Sequence, residues 1–557
     1  MATERPKLQR LRSWSSTRQG RVQALTWLGA AALLIYVFVY PFCLVRYPPI
    51  TDLPFHAANT SIVRHYFDPA FHFRQQFYID PLSAPYMLQY LLGAGLSLLL
   101  PIHVAVKAAC VLLLAALPLG LGLLCRGLGK SPLMGLLSLG LIYSTLTHWG
   151  FISHIGALGF FAGSLGAALM LFEGGSPRQS RRRAWLLGGM LLLTLFCHVY
   201  RYPFALVGVL LVSALAFRNG RRGRDFLPFA LALLPSLALF LVFWFRRDYV
   251  TGADLNLEWA PARLGEVPAH LFGGFVGQVG ERERLDGWLW LSSSLLLGLG
   301  CRVWRRRLGA AEEPGARAPI ETRQLGPLEP ERREHFRRDS HWLLALICLG
   351  LLGLYLTLPL MWGSWFFVYP REALSVLFLG LGLLPGIPKL PIARLALLLT
   401  LALTSGRQAL LVANQWLRFE RLNQDFYAIQ AKVPAHPRLL YLIFDHSGTY
   451  RSTTPFIHLP AWIQAERGGS LYFHFVRWGL YPIRYRVGGE DTPPSLPYLL
   501  EWHPEAFRTI EHGQWFDTFL VRHRVDPAVV FEADPQIQLV AHEGEWWLYR
   551  REGAPSH

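Results

Sequence analysis

The feature that most constrains this chain is a series of long apolar runs that fills the sequence before residue 414. A bilayer core needs roughly 20 apolar residues per helical span, and inside lipid the backbone must satisfy its own hydrogen bonds, which favours helices. The runs are too evenly apolar for barrel strands. They predict a polytopic α-helical membrane protein, with runs near 22–45, 85–100, 103–125, 132–147, 151–172, 184–198, 203–217, 226–245, 287–303, 341–359, 371–387 and 391–413.

Charge is scarce and unevenly placed. Of the 557 residues, 52% are hydrophobic and 16% are charged, yet the net charge is +17. The arginines cluster between apolar runs, which is typical of cytoplasmic loops and also favours anionic lipid headgroups. This distribution argues against a nucleic-acid-binding protein and predicts the lipid bilayer as the partner of the basic segments.

The basic segments also predict a topology. Residues 1–22, the loops near 178 and 221, and a linker at 304–340 are expected in the cytoplasm, and the first run has no clear cleavage site, so it is expected to remain as a span. Loops 46–84, 198–203, 246–286 and 359–372 then lie outside. Alternation requires one run not to be a full span; the run at 85–100, which is short and contains Gly93 and Gly95, is expected to be re-entrant or partial. About eleven spans remain within residues 23–413, in a membrane expected to be the bacterial inner membrane.

Residues 414–557 have a soluble composition and are expected to form a small extracytoplasmic α/β domain. Its β-branched and aromatic runs predict strands, and helices are expected near 455–467 and 496–509. All six cysteines lie in or beside apolar runs, so neither a disulfide framework nor a zinc site is expected. The predicted strands are 438–444, 516–521, 528–531 and 546–550.

Candidate chemistry lies at the outer ends of the runs. Asp52 opens the first outer loop, in the stretch Asp52-Leu-Pro-Phe-His56. A carboxylate there is costly unless it is paired or solvated. Two interpretations stay open, because Asp52 just before Pro54 also suits a helix N-cap.

Two further outer breaks contain polar residues. His148 and His154 flank Trp149 and can serve either the site or an aromatic interfacial anchor. Arg201 sits in a tight turn between tyrosines, where its guanidinium can bind a phosphate or reach to the interface.

A late span begins with Tyr369-Pro370-Arg371-Glu372. Arg371 is hard to leave unpaired there, so an anion-binding role is predicted, although Glu372 could neutralise it. Elsewhere, three loop carboxylates could bind a divalent cation, but loop acids are usually solvated, and neither a metal nor another cofactor is expected; these acids are Asp248, Asp254 and Glu258.

The stretch at residues 52–56, the many spans, the Tyr369-Pro370-Arg371 entry and the terminal domain resemble the GT-C superfamily of membrane glycosyltransferases. The resemblance covers roughly residues 1–413 in organisation and is specific in the first loop. The sequence departs from the family in lacking a clear second acidic motif, since residues 148–154 occupy that place, and this argues against a metal-dependent mechanism.

The resemblance implies a polyprenyl-phosphate-linked sugar as donor and an extracytoplasmic glycan, lipid or protein as acceptor. It implies Asp52 as the general base and Arg371, or Arg201, as the group that binds the donor phosphate. His56, His148, His154, Tyr369 and Glu372 are the further expected binding residues. Two other classes stay open: a non-catalytic membrane scaffold, and a transporter of lipid-linked glycans, which would place its ionisable residues nearer mid-membrane.

Overall fold

A computed structural model gives the fold of residues 18–246, 255–272, 281–308, 328–448 and 454–553, apart from positions 364, 389, 480, 487 and 489–491. Most of these residues are helical. The helices of the bundle are α1 Arg18–Cys43, α2 Leu53–Arg64, α3 Phe73–Gln76, α4 Leu88–Leu96, α5 Ile102–Gly127, α6 Thr145–Trp149, α7 Ile152–Glu173, α8 Pro177–Cys197, α9 Tyr202–Arg218, α10 Leu227–Arg246, α11 Val267–Phe272, α12 Glu281–Leu308, α13 Pro330–Thr357, α14 Pro370–Gly380 and α15 Pro391–Leu422.

Seven helical stretches of the described chain are long and apolar enough to cross a membrane, so the expectation of an integral membrane protein is confirmed. The predicted number of eleven spans is not confirmed. Helices α8 and α12 have the length, but charged residues occupy their ends. The seven stretches are Gly20–Cys43, Ile102–Gly127, Ile152–Glu173, Val199–Arg218, Gly223–Arg246, Glu331–Thr357 and Pro391–Leu422.

Helix α4 corresponds to the apolar run at 85–100, the one that was expected not to be a full span. It has nine residues, and at 1.5 Å per residue it is about 14 Å long, half of a bilayer core. Gly93 lies against α2, where an added Cβ would come within 2.6 Å of Thr60. The run therefore packs on the first outer loop as a partial span, as the alternation of the basic loops required.

Helix α7 is the centre of the bundle. Nearly all of its residues are buried, and it lies so close to α5 that a Cβ on Gly120 would meet the carbonyl of Gly159. Other helices instead expose large apolar side chains to their surroundings: Leu231 is 59% exposed, Leu346 63% and Leu403 73%. A belt of this kind suits lipid and not water.

The basic segments meet at one end of α7. Glu173 ends that helix and accepts from Arg337 of α13 at 2.5 Å. Arg183 of α8 donates to the carbonyl of Gly174 at 2.7 Å, and Arg221 donates to that of Phe172 at 2.9 Å. His154 lies in the first turn of the same helix. The polar residues at 148–154 and 198–203 therefore lie at the end of α7 opposite the basic segments.

The linker expected at 304–340 is shorter than that range. Helix α12 continues to Leu308 and α13 begins at Pro330, each extending an apolar segment with a charged turn. Residues 309–327 lie outside the described part of the chain. The N-terminal basic segment likewise runs into α1, which begins at Arg18.

After α16 (Gln424–Lys432), a five-stranded mixed sheet dominates the C-terminal part. Its order is β5-β4-β7-β9-β8, with β4 parallel to β5 and β7, and β9 antiparallel to β7 and β8. Two short helices, α17 Ala461–Arg467 and α18 Thr509–His512, accompany it. The strands are β4 Arg438–Ile443, β5 Ser470–Leu471, β7 Thr518–Arg522, β8 Ile537–Glu543 and β9 Trp546–Arg551.

Three of the four predicted strands are confirmed as β4, β7 and β9, and β8 was not predicted. The strand expected at 528–531 is wrong: Asp526 accepts from the backbone N–H of Ala528 at 2.9 Å, which starts a 3-10 turn after Pro527. The helix near 455–467 is reduced to α17. The one near 496–509 is wrong, since only the short turn at Pro504–Ala506 is helical there before α18 begins at Thr509.

The first outer loop is built into the C-terminal part. Strand β1, Phe77–Ile79, pairs antiparallel with β6, Ile483–Tyr485. A second contact stacks Tyr47 on Trp462, with ring centroids 4.4 Å apart, and Arg46 pairs with Glu466 at 2.8 Å. The loop that carries Asp52 is thus fixed between the bundle and the C-terminal sheet.

Candidate active site

Asp52 is held by its backbone against the break at 148–150. Its N–H donates to the carbonyl of Trp149 at 3.1 Å, and the N–H of Thr51 donates to that of His148 at 2.9 Å. The Asp52 side chain makes no capping bond to α2. Asp52 therefore stands at the N-cap position of α2, as one interpretation expected, but its carboxylate does not cap that helix.

The carboxylate instead meets the C-terminal part of the chain. Oδ1 of Asp52 lies 3.1 Å from Nδ1 of His458, and the two side chains are 16% and 6% exposed. Because an ionised carboxylate can only accept hydrogen bonds, Nδ1 carries the proton in this pair. Sequence analysis did not find His458, which follows Asp52 by 406 residues.

His56 lies one helical turn beyond Asp52. Its Nδ1 is 3.0 Å from the hydroxyl of Tyr90, and the ring is buried. Burial lowers the pKa of His56 to about 4, although the nearby Asp52 opposes this effect. His56 is therefore neutral near pH 7, and it lines the site while its ring is hydrogen-bonded to Tyr90.

A turn at residues 149–151 connects Asp52 to Arg371. Gly150 has φ +102°, and a Cβ there would come within 2.9 Å of Asp52 Cβ, so the position requires glycine. The next residue, Phe151, places its ring 4.3 Å from the guanidinium carbon of Arg371. The two residues proposed from the sequence thus both contact one tight turn.

Arg371 is held in place without a carboxylate. Nε donates to the carbonyl of Phe367 at 3.0 Å and a terminal nitrogen donates to that of Phe366 at 2.9 Å. The other terminal nitrogen lies 3.3 Å from Nε2 of His198. Within the described chain Arg371 forms no ion pair. Three of its five N–H donors are engaged, and two remain for an anion.

Arg201 is different, because it forms a buried bidentate pair with Glu372. The two guanidinium–carboxylate distances are 2.8 and 3.0 Å, and both side chains are at most 6% exposed. His154 Nε2 lies 3.4 Å from the same guanidinium. Glu372 therefore neutralises Arg201 and not its neighbour Arg371, which leaves Arg371 as the anion-binding candidate.

Two tyrosines are close to both Asp52 and Arg371. Tyr86 and Tyr481 have ring centroids 5.9 Å apart, and each hydroxyl is within electrostatic reach of both charged residues. Burial raises the pKa of both hydroxyls, so they remain protonated hydrogen-bond donors. Neither tyrosine carried a sequence signal, because single tyrosines are common at the ends of spans.

Two of the expected binding residues contribute differently. The hydroxyl of Tyr369 donates to Glu266 at 2.5 Å, and its ring stacks under Arg263 at 4.2 Å. It therefore supports the segment before α11 and not Asp52. His148 contacts the site through its backbone carbonyl.

The described residues contain no group of three or more side chains suited to hold a metal ion. Asp248 and Asp254, two of the three loop acids considered for a cation, lie outside the described part of the chain. Glu258 is described and exposed.

No protein-family model matches the sequence, and no curated protein does. The structure matches that of ArnT from Cupriavidus metallidurans bound to undecaprenyl phosphate, with a TM-score of 0.51 and 12% identity over 95% of this chain and 98% of that one. The chain has an ArnT-like fold. The apo form of ArnT covers the same shares at 11% identity and a TM-score of 0.44.

The likeness to ArnT confirms the resemblance read from the first loop and the late arginine. At 12% identity it concerns the fold, and the roles of individual residues rest on the geometry described above.

Proposed function

We propose that this chain is a membrane glycosyltransferase that moves a sugar from a polyprenyl-phosphate donor to an extracytoplasmic acceptor. The observation that carries the proposal is the contact of both Asp52 and Arg371 with the turn at 149–151, with Tyr86 and Tyr481 within electrostatic reach of both residues. A base and an anion-binding group at one turn suit a reaction that removes a proton from one substrate and releases a phosphate from the other.

Asp52 acts as the general base in this mechanism. The acceptor hydroxyl attacks the anomeric carbon, and its proton passes to Oδ2 of Asp52, which makes no hydrogen bond in the described chain. A new bond forms between the acceptor oxygen and the anomeric carbon as the bond from that carbon to the phosphate oxygen breaks. Attack opposite the phosphate inverts the anomeric centre.

Arg371 binds the leaving group. The polyprenyl phosphate departs with the bonding electron pair, and the two free N–H donors of the guanidinium stabilise its developing charge. Arg371 lies in the first turn of α14, where the helix dipole also favours an anion. The tail of the donor lies in lipid between the spans. The bound undecaprenyl phosphate in the ArnT structure supports a carrier of this class.

Asp52→Asn tests the role of the carboxylate. The substitution keeps the shape and removes the base, so transfer from a labelled polyprenyl-phosphate sugar should fall roughly 10²–10⁴-fold at normal expression. Asp68→Asn is the matched control, because Asp68 lies in the same loop, where it caps the short turn at Pro69–Phe71 and contacts His65 instead of His458. Near-normal transfer by Asp52→Asn would exclude this residue as the base and favour a scaffold.

A further inference from the structure

His458 is the C-terminal residue that touches the proposed base, and its surroundings define what it can do. Its ring packs against Phe55 at a centroid distance of 4.7 Å, Phe475 at 5.3 Å and Phe473 at 6.1 Å. These neighbours are apolar. Within the described chain the imidazole makes one hydrogen bond, from Nδ1 to Asp52 Oδ1.

We propose that His458 is a positioning residue that fixes the orientation of the Asp52 carboxylate, so that the C-terminal part of the chain completes the active site. This inference rests on the proposed function. The bond from Nδ1–H occupies Oδ1 and directs Oδ2 towards the acceptor hydroxyl. A carboxylate on a short side chain rotates freely about its last bond unless one oxygen is held, and a misplacement of about 1 Å can cost a factor of 10² in rate.

The position of His458 supports an orienting role over a merely structural one. A buried imidazole that packs among phenylalanines loses its solvation by water. A phenyl ring at the same position would supply the same packing without that loss. Among the described residues, the one hydrogen bond of His458 is directed at the carboxylate of the proposed base. Asp52 itself is fixed by its backbone to the turn at 149–150, so the histidine is needed for the side chain and not for the loop.

Two substitutions separate orientation from other roles. His458→Asn places its amide N–H near the position of Nδ1–H and keeps the hydrogen bond to Asp52. His458→Phe matches the aromatic surroundings and removes that bond. We expect His458→Phe to lower kcat roughly 10- to 100-fold with KM for the donor unchanged, and His458→Asn to keep kcat within a few-fold of the unmodified protein.

Either of two results overturns the proposal. Equal kcat for His458→Phe and the unmodified protein would mean that the bond does not matter. A loss in His458→Asn as large as that in His458→Phe would mean that Nε2 is itself the base. His446→Phe is the matched control, because His446 lies in the same part of the chain, meets Trp502 edge-on and hydrogen-bonds the backbone carbonyl of Glu501 instead of Asp52; it should retain full activity.

A double-mutant cycle shows whether His458 acts through Asp52. In the Asp52→Asn background, His458→Phe should cause little further loss, because the group that it orients is already absent. A full additional loss would contradict the inference while leaving the proposed function intact. If instead the unmodified protein transfers no sugar from any polyprenyl-phosphate donor, the proposed function itself fails, and the two failures are distinguished.

Discussion

Arg201 is buried and Arg371 is partly buried at the end of the bundle opposite the arginine-rich segments, and they differ in their partners. Arg201 is paired with Glu372 through two short contacts, while Arg371 is held by two backbone carbonyls and a histidine. A paired arginine neutralises a buried carboxylate, and one held by neutral groups keeps its charge available for an anion.

Substituting each arginine by methionine should separate these roles. Arg201→Met leaves the Glu372 carboxylate buried without its partner, which costs roughly 3–5 kcal/mol of the free energy of unfolding. Arg371→Met leaves no such charge, so the protein should remain folded while donor use falls. Thermal unfolding in detergent and transfer rates at limiting donor measure the two effects. Loss of folded protein only in Arg371→Met would reverse the assignment.

At the residue scale the sequence pointed to Asp52 and Arg371, because a charge at the end of an apolar run needs a reason to be there. It could not decide between the two arginines. That choice depends on which one Glu372 reaches in space, and the adjacent Arg371 is not the one. It also missed His458, since no local pattern relates residues 406 positions apart.

At the element scale, glycines set the distance between α5 and α7. Gly120 and Gly127 on α5 face Gly159 and Gly166 on α7, with the same seven-residue spacing in both helices. A Cβ on Gly159 would lie 2.3 Å from the backbone of Ala116, and one on Gly166 2.4 Å from that of Leu123. Small residues of this kind let the backbones of spans approach closely.

Gly159→Val should therefore force α5 and α7 apart and sharply reduce the yield of folded protein. The clash is with backbone atoms, which cannot move without shifting a whole helix. Gly189→Val is the control, since a Cβ there meets nothing within 4 Å. Size-exclusion profiles and melting temperatures in detergent report the outcome. Equal melting temperatures for both variants would contradict close packing.

Whether a segment forms a helix or a strand was predictable where the sequence had a long apolar run or a high content of β-branched residues. The bundle helices and strands β4, β7 and β9 were predictable for that reason. The strand expected at 528–531 failed because Asp526 and Pro527 start a turn that outweighs the β propensity of three apolar residues. Boundaries in the basic segments failed because helices α12 and α13 continue beyond their apolar parts.

At the scale of the whole molecule, the arginine-rich segments and the proposed site lie at opposite ends of α7. We predict that the arginine-rich end is cytoplasmic and that the C-terminal sheet is extracytoplasmic. Alkaline phosphatase fused after residue 553 should be active, and the same enzyme fused in the loop near 221 should be inactive. The reverse pattern would overturn the orientation.

Strand β1 is synthesised early and pairs with β6, which is synthesised late. In the same way, Asp52 is synthesised long before its partner His458. Ribosomes add roughly 5–20 residues per second, so the 406 residues between Asp52 and His458 separate their synthesis by roughly 20–80 s. During that interval the nascent chain carries a loop without its partner strand. Products of premature termination should consequently lack the completed site, so that biogenesis itself restricts the proposed activity to finished molecules.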